Sequence, residues 1–224
     1  MQQELTNTRQ RLLQAASRIF ADKGFANATV AAICRAAEAN IASVNYYFGD
    51  KESLYRQAWR YAHARTMAAF PPDGGVPTDA PPEQRLRGRM RAILQRALDS
   101  DAVEMRIMGH EMANPTGLLQ QVLQDSIGPL RQATRGIIEE LLGAGADELT
   151  IQSCVVLVIG PCMQMARRQR MRRREGAGPA LGTDTLEAML DRFMAFALAG
   201  IGELRRRIER GTLENRQAQP DQGV

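Results

Sequence analysis

Residues 40–55, NIASVNYYFGDKESLY, set adjacent tyrosines and small polar side chains on a short stretch with little apolar surface. Ile41, Val44 and Phe48 form an apolar stripe at helical spacing, which turns Ser43, Asn45, Tyr46 and Tyr47 toward something else. Ser43 and Asn45 can exchange hydrogen bonds with base edges, and the two tyrosines can give hydroxyls to phosphates or stack on sugars. Ala42 is small enough to let the backbone come close to a duplex. Lys51 opens the following helix, where free N–H groups already favour an anion, and Thr29 caps an earlier helix that offers a similar phosphate site. Each residue alone has a plainer explanation. Tyrosines near a helix end commonly pack with wet hydroxyls, and a lysine after a cap is usually solvated. The combination at this spacing carries the signal.

These side chains need short, well-capped helices to hold them. Residues 7–23 read as a helix with Leu12, Ala16, Ile19, Phe20 and Lys23 on one face, Asn7 or Thr6 as its cap and Gly24 as its stop. Thr29 caps a helix to about Ala37, with Val30, Ile33 and Cys34 inward. Asn40 caps a third helix to about Tyr47, closed by Gly49. Asp50 caps a fourth, in which Leu54, Ala58, Tyr61 and Ala62 form the buried side. A short helix, the turn AEAN and a second short helix make a helix-turn-helix, whose second member enters the major groove.

Beyond residue 70 the chain reads as five more helices, over 83–100, 102–113, 116–143, 147–173 and 184–210, with Pro129 and Pro161 dividing or kinking two of them. Asp184 and Glu187 form a capping-box pattern, and Gly211 ends the last helix. The segment 71–82, PPDGGVPTDAPP, holds five of the ten prolines and marks a boundary. It is either a linker or a loop within a second domain. The predicted organisation is all-α: a DNA-binding domain over 1–50, a connecting helix over 51–70, the Pro/Gly-rich loop 71–82, a helical effector-binding and dimerisation domain over 83–212, and a frayed tail over 213–224.

The bulk properties fit that reading without demanding it. The 224 residues are 44% hydrophobic and 24% charged, with a net charge of +4, enough to permit nucleic-acid binding. Three cysteines without CxxC pairing argue against a disulfide framework or a structural zinc site and suit a reducing cytoplasm. No apolar run approaches the ~20 residues that span a bilayer, so no membrane partner is expected. Paired carboxylates, a nucleophile–base arrangement, a phosphate loop and a metal cluster are all missing from the pattern. No cofactor, metal or enzymatic activity is expected. The arginine-rich run at 167–174 reads as a solvated helix end.

Residues 8–62, through LLQAASRIFADKGFANATVAAICRAAEAN and then YYFGDKESLY, resemble the N-terminal domain of the TetR/AcrR transcriptional regulators. The resemblance implies a three-helix DNA-binding domain joined to a variable ligand-binding and dimerising domain, with Thr29, Ser43, Tyr46, Tyr47 and Lys51 where the family contacts DNA. Asn45 stands where the family often has tyrosine, Ala42 where it often has glycine, and an acidic residue often found near Ala32 is absent. These departures bear on the operator sequence. Residues 109–132, GHEMANPTGLLQQVLQDSIGPLRQ, resemble the C-terminal domain of the CerR/CecR subgroup, which implies response to an effector.

For the effector, Met105, Met108 and Met112 form a helical stripe beside His110, and Met163 and Phe193 add adaptable apolar surface. Methionine suits a pocket for varied ligands, although such a stripe is more often ordinary core. Leu190, Ala197, Ile201 and Leu204 lie on a long apolar face of the last helix, read as a homodimer interface with support from the resemblance. The expected function is a one-component regulator, a repressor released from a pseudo-palindromic double-stranded DNA operator by a small molecule. The alternatives are a redox- or metal-responsive regulator, or a helical metabolite-binding protein or enzyme.

Overall fold

The structure, a computed structural model, describes residues 2–99, 101–174 and 183–211. Among them the only regular elements are helices: α1 (Gln2–Asn27), α2 (Val30–Ala36), α3 (Ile41–Phe48), α4 (Lys51–Ala69), α5 (Pro82–Leu98), α6 (Val103–Ala113), α7 (Gln120–Leu142), α8 (Glu148–Arg174) and α9 (Thr183–Glu209). The all-α expectation holds. Residues 175–182, between the helices expected over 147–173 and 184–210, and the tail expected over 213–224 lie outside the described residues. Helix α1 starts before the expected cap at Asn7 and bends at Gly24, where φ is 70°. A Cβ there would stand 3.1 Å from His110 Nδ1, so both the left-handed backbone and the close contact call for glycine. Lys23, placed inward by spacing, is exposed in the turn before this bend.

Two compact units divide the described chain, each built from non-contiguous segments. The first comprises residues 1–71 and 99–129, so α6 and the start of α7 belong with α1 to α4. Its core gathers Leu12, Phe20, Ile33, Val44, Leu54, Tyr55 and Trp59 with Ile107, Leu119 and Val122. Sequence spacing had placed residues 99–129 in the second domain. What brings them here is the need to cover Tyr55 and Trp59, which spacing on α4 did not mark as buried.

Two polar ties reinforce this packing. Tyr55 Oη donates to Glu111 Oε2 at 3.1 Å, and burial, then the Glu111 charge, pushes the phenol well above its usual range. Glu111 also accepts from Thr116 N and Gly117 N at 2.9 and 3.1 Å and from the Thr116 hydroxyl. One buried carboxylate therefore ties α4 to the turn before α7. Further along, His63 Nδ1 lies 2.7 Å from Glu104 Oε2, and its ring stacks on Trp59 at 4.8 Å.

The second unit comprises residues 72–98 and 130–224. Leu86, Met90, Leu94, Ile138, Leu142, Cys162 and Leu190 are its most buried core members. The residues expected at a dimer interface point inward in this chain. Leu190, Ala197 and Ile201 are buried inside this core and Leu204 packs against it, so they are already covered within one protomer. The outward side chains are Leu149, Val156, Leu157 and Met163 on α8 and Phe196 on α9.

The window Glu148–Met165 of α8 is apolar and long enough, by length and composition, to cross a membrane. The expectation that no run approaches that length is therefore corrected. The same window supplies Ile151, Cys154, Val158 and Cys162 to the core, and its Glu148 forms a two-pronged bond with Arg135. Only 22% of the window is buried, and Leu149, Val156, Leu157 and Met163 in it are exposed.

The Pro/Gly-rich segment is a packed loop from residue 72 onward. A Cβ on Gly88 of α5 would stand 2.2 Å from the Asp73 carbonyl oxygen and 2.7 Å from Val76 Cγ2. Gly88→Ala should lower unfolding stability by about 1–3 kcal/mol, read as a lower denaturant midpoint at unchanged m-value.

Candidate nucleic-acid interface

Helices of seven and eight residues are marginal in isolation, so side-chain caps and a few buried anchors must define them. Thr29 Oγ1 accepts from Ala32 N at 3.2 Å, starting α2. Asn40 Oδ1 accepts from Ser43 N at 2.8 Å and from Ser43 Oγ at 2.9 Å, starting α3. Asp50 Oδ1 accepts from Ser53 N at 2.7 Å, starting α4. Val44 and Phe48 anchor α3 in the core. With those two inside, Ile41, Ala42, Asn45 and Tyr46 come to one exposed face at spacings of one, four and five.

Of the residues named from sequence, Thr29, Ala42, Asn45 and Tyr46 are exposed, Tyr46 at 76%. Ser43 is half-buried with its hydroxyl committed to the Asn40 cap, which leaves it an acceptor for an incoming donor. Tyr47 is half-buried against the core, and Tyr46 meets it edge-to-face at 4.9 Å. Tyr47 thus supports the more exposed ring. Lys51 is half-buried, its Nζ 4.4 Å from the Phe25 ring centroid, a cation–π contact that holds the ammonium at the start of α4.

Two residues of the face or its rim escaped the spacing argument. Ile41 was assigned to the inward stripe, yet it is 54% exposed. It precedes the first full turn, where nothing covers it, and presents an apolar group of the kind that meets a thymine methyl. Arg9 of α1 lies 5.6 Å from the Phe48 ring centroid and donates to Gln57 Oε1 at 2.6 Å. This places a cation beside the end of α3, a contact across 39 positions that no local pattern reports.

The six residues offered for an effector pocket fall in different units. Met105, Met108, His110 and Met112 are on α6 in the first unit, whereas Met163 and Phe193 are in the second. Met108 packs on the first core and Phe193 on the second. Met112 and Met163 are exposed, and His110 sits against Gly24. Among the described residues no group of three or more His, Cys, Asp or Glu side chains is placed to hold a metal ion. All three cysteines are free and buried, and burial pushes the Cys162 thiol up to about 12, away from reactive thiolate chemistry.

Comparison with known proteins decides the family. Residues 12–58 match the family described as bacterial regulatory proteins, tetR family, and residues 82–201 match the C-terminal domain of the HTH-type transcriptional dual regulator CecR. The chain belongs to the TetR family, with a CecR-type C-terminal domain. It is 32% identical over 117 residues to the HTH-type transcriptional regulator UidR of Escherichia coli K12, covering 51% of this chain and 57% of UidR. The chain thus spans little more than half of that curated relative. A TetR-like regulator from Rhodococcus sp. RHA1 superposes with a TM-score of 0.64 at 21% identity, over 86% of this chain and 96% of that one. The structure of AibR in complex with isovaleryl coenzyme A and operator DNA gives 0.64 at 16% identity, over 82% and 96%. Both structures share the TetR fold with this chain.

On duplex DNA, Lys51→Ala should weaken all sequences alike and reduce the slope of log K against log salt by about 1. Asn45→Ala should change preference at one base pair by about 1–3 kcal/mol. Fluorescence anisotropy across a salt series and a set of point-mutated sites separates the two effects.

Proposed function

We propose that this TetR-family chain is a one-component transcriptional regulator that acts as a homodimer, represses by occupying a pseudo-palindromic operator, and is released by a small molecule. The observation that carries the reading is the exposed face of α3, where Ile41, Ala42, Asn45 and Tyr46 are held outward by the Asn40 cap and the Val44 and Phe48 anchors. A helix presented N-terminal end first, with Ala42 and Ser43 in its first turn, suits the major groove. Thr29 and Lys51 at the starts of α2 and α4 supply phosphate contacts beside free backbone N–H groups. Family membership and a fold neighbour crystallised with both a ligand and operator DNA support the same arrangement.

Dimerisation is assigned to the outward apolar strip of the second unit rather than to the residues in its core. Val156, Leu157 and Phe196 are 67%, 63% and 77% exposed, large apolar side chains that α8 and α9 leave without cover. Gly160 and Gly200 on the same two helices allow close helix approach. Joining two readers makes the second half-site contact intramolecular, and this multiplies affinity without new contacts. A reducing cytoplasm suits the three buried free thiols. The effector acts through its differential affinity for the DNA-competent and released conformations.

Anisotropy or gel-shift titration on the DNA upstream of the chain's own gene, against random duplex, tests the reading. Tight, salt-sensitive, sequence-selective binding is expected, and equal affinity for both duplexes would sink it. The double change Leu157→Glu and Phe196→Glu should convert the dimer to monomer in light scattering and lower operator affinity by about 100-fold or more.

A further inference from the structure

Helix α5 carries arginines at 85, 87, 89 and 91, and their partners are inverted relative to what electrostatics would ask. Three of them are partly exposed, and each holds a carboxylate. Arg85 pairs with Glu140, Arg87 with Glu187 at 3.1 Å and Asp191 at 2.6 Å, and Arg91 with Glu187 at 2.9 Å. Arg89 is the buried one, with 8% of its surface exposed. Among the described residues no carboxylate lies within ion-pair distance of it. Its Nε donates to Thr134 Oγ1 at 2.8 Å and its Nη2 to the Leu130 carbonyl, both neutral acceptors. A buried charge is costly unless an opposite charge meets it, so the residue least able to rely on solvent is the one without a counterion.

The surrounding charges do not repair this. Burial lowers the Arg89 pKa most, the Arg96 charge on the same helix lowers it further, and only Asp73 acts the other way. Asp73 is exposed, and its Oδ1 accepts from Gly75 N at 2.8 Å. Nor do the two acceptors depend on Arg89, because the Thr134 hydroxyl itself donates to the Leu130 carbonyl at 3.0 Å. The bonds from Nε and Nη2 occupy one edge of the guanidinium and fix its plane against α7. The Nη1/Nη2 edge, the fork that meets an oxyanion with two parallel bonds, has no carboxylate.

We propose that Arg89 is a receptor for the oxyanion, carboxylate or phosphate, of a small-molecule effector. This rests on the effector-released regulator reading and adds the chemical class of the ligand. Bound there, an oxyanion supplies the missing counterion and binds most tightly to the conformation that presents the Nη1/Nη2 edge.

The test uses the full chain, with inorganic phosphate, hexanoate and neutral hexanamide as probes, each against sodium chloride of matched ionic strength. Thermal melting and calorimetric titration are the readouts. Phosphate or hexanoate should raise the melting temperature of the wild-type chain while hexanamide does not, and the arm that responds names the oxyanion. Arg89→Met should leave the unliganded melting temperature equal or higher, since apolar replacement of a buried charge is often stabilising. It should also weaken the anion by about 30-fold or more. An anion response that persists in Arg89→Met, or a wild-type chain indifferent to both anions, overturns the proposal. If Arg89→Met fails to fold, the neutral Arg89→Gln takes its place, and an unchanged anion response there overturns it equally. Operator binding on the same preparations keeps the two readings apart: a wild-type chain that binds operator but ignores both anions sinks the anion site alone, whereas anion binding through Arg89 without DNA binding keeps the site and removes the regulator.

Discussion

The bond pair from Ser43 to the Asn40 carboxamide is the constraint on which the reader depends. An eight-residue helix cannot hold its own geometry, and α3 has only Val44 and Phe48 sunk in the core. Two anchors set the rotation of the helix about its axis. The cap sets where along the chain the first turn begins, and therefore which residues come round to the outside. Were the start displaced by one residue, every side chain would turn by about 100°, and Asn45 and Tyr46 would leave the exposed face. Which side chains α3 offers outward is thus decided by an amide oxygen at its cap.

A second constraint is the buried carboxylate of Glu111. It collects a phenol, two backbone N–H groups and a threonine hydroxyl, donors enough to satisfy a buried carboxyl group without a cation. Its effect is to make the end of α6 and the turn after it part of the body that carries α3. His63, Glu104 and Trp59 repeat the device nearer the middle of α4.

Much of this was legible in the sequence. Thr29, Asn40 and Asp50 announce themselves as caps because the chemistry is local and the partner lies three residues on. The helix-turn-helix follows from them. What the sequence does not disclose is which surface covers an apolar stripe. Leu190, Ala197 and Ile201 are regularly spaced and buried, yet they face their own chain, while the outward Phe196 is the residue without a cover. Tyr55 and Trp59 were missed for the complementary reason, because the residues that bury them arrive from Ile107 and Leu119. Ile41 fitted the inward period but stands at a helix start, where no preceding turn shields it. The unpaired charge on Arg89 is invisible in an arginine-rich stretch until its neighbours' partners are known.

The discontinuity of the first unit has a consequence for how the protein is made. Its core closes only when Ile107, Leu119 and Val122 meet Phe20, Tyr55 and Trp59. A ribosome working from the N-terminus must therefore extrude the whole of α5, which belongs elsewhere, before the reader's hydrophobic face can be shut. For that interval the emerging chain lacks the cover that Ile107 and Leu119 give to Tyr55 and Trp59. Vectorial synthesis delays maturation of the first unit until well past the helix-turn-helix residues it carries.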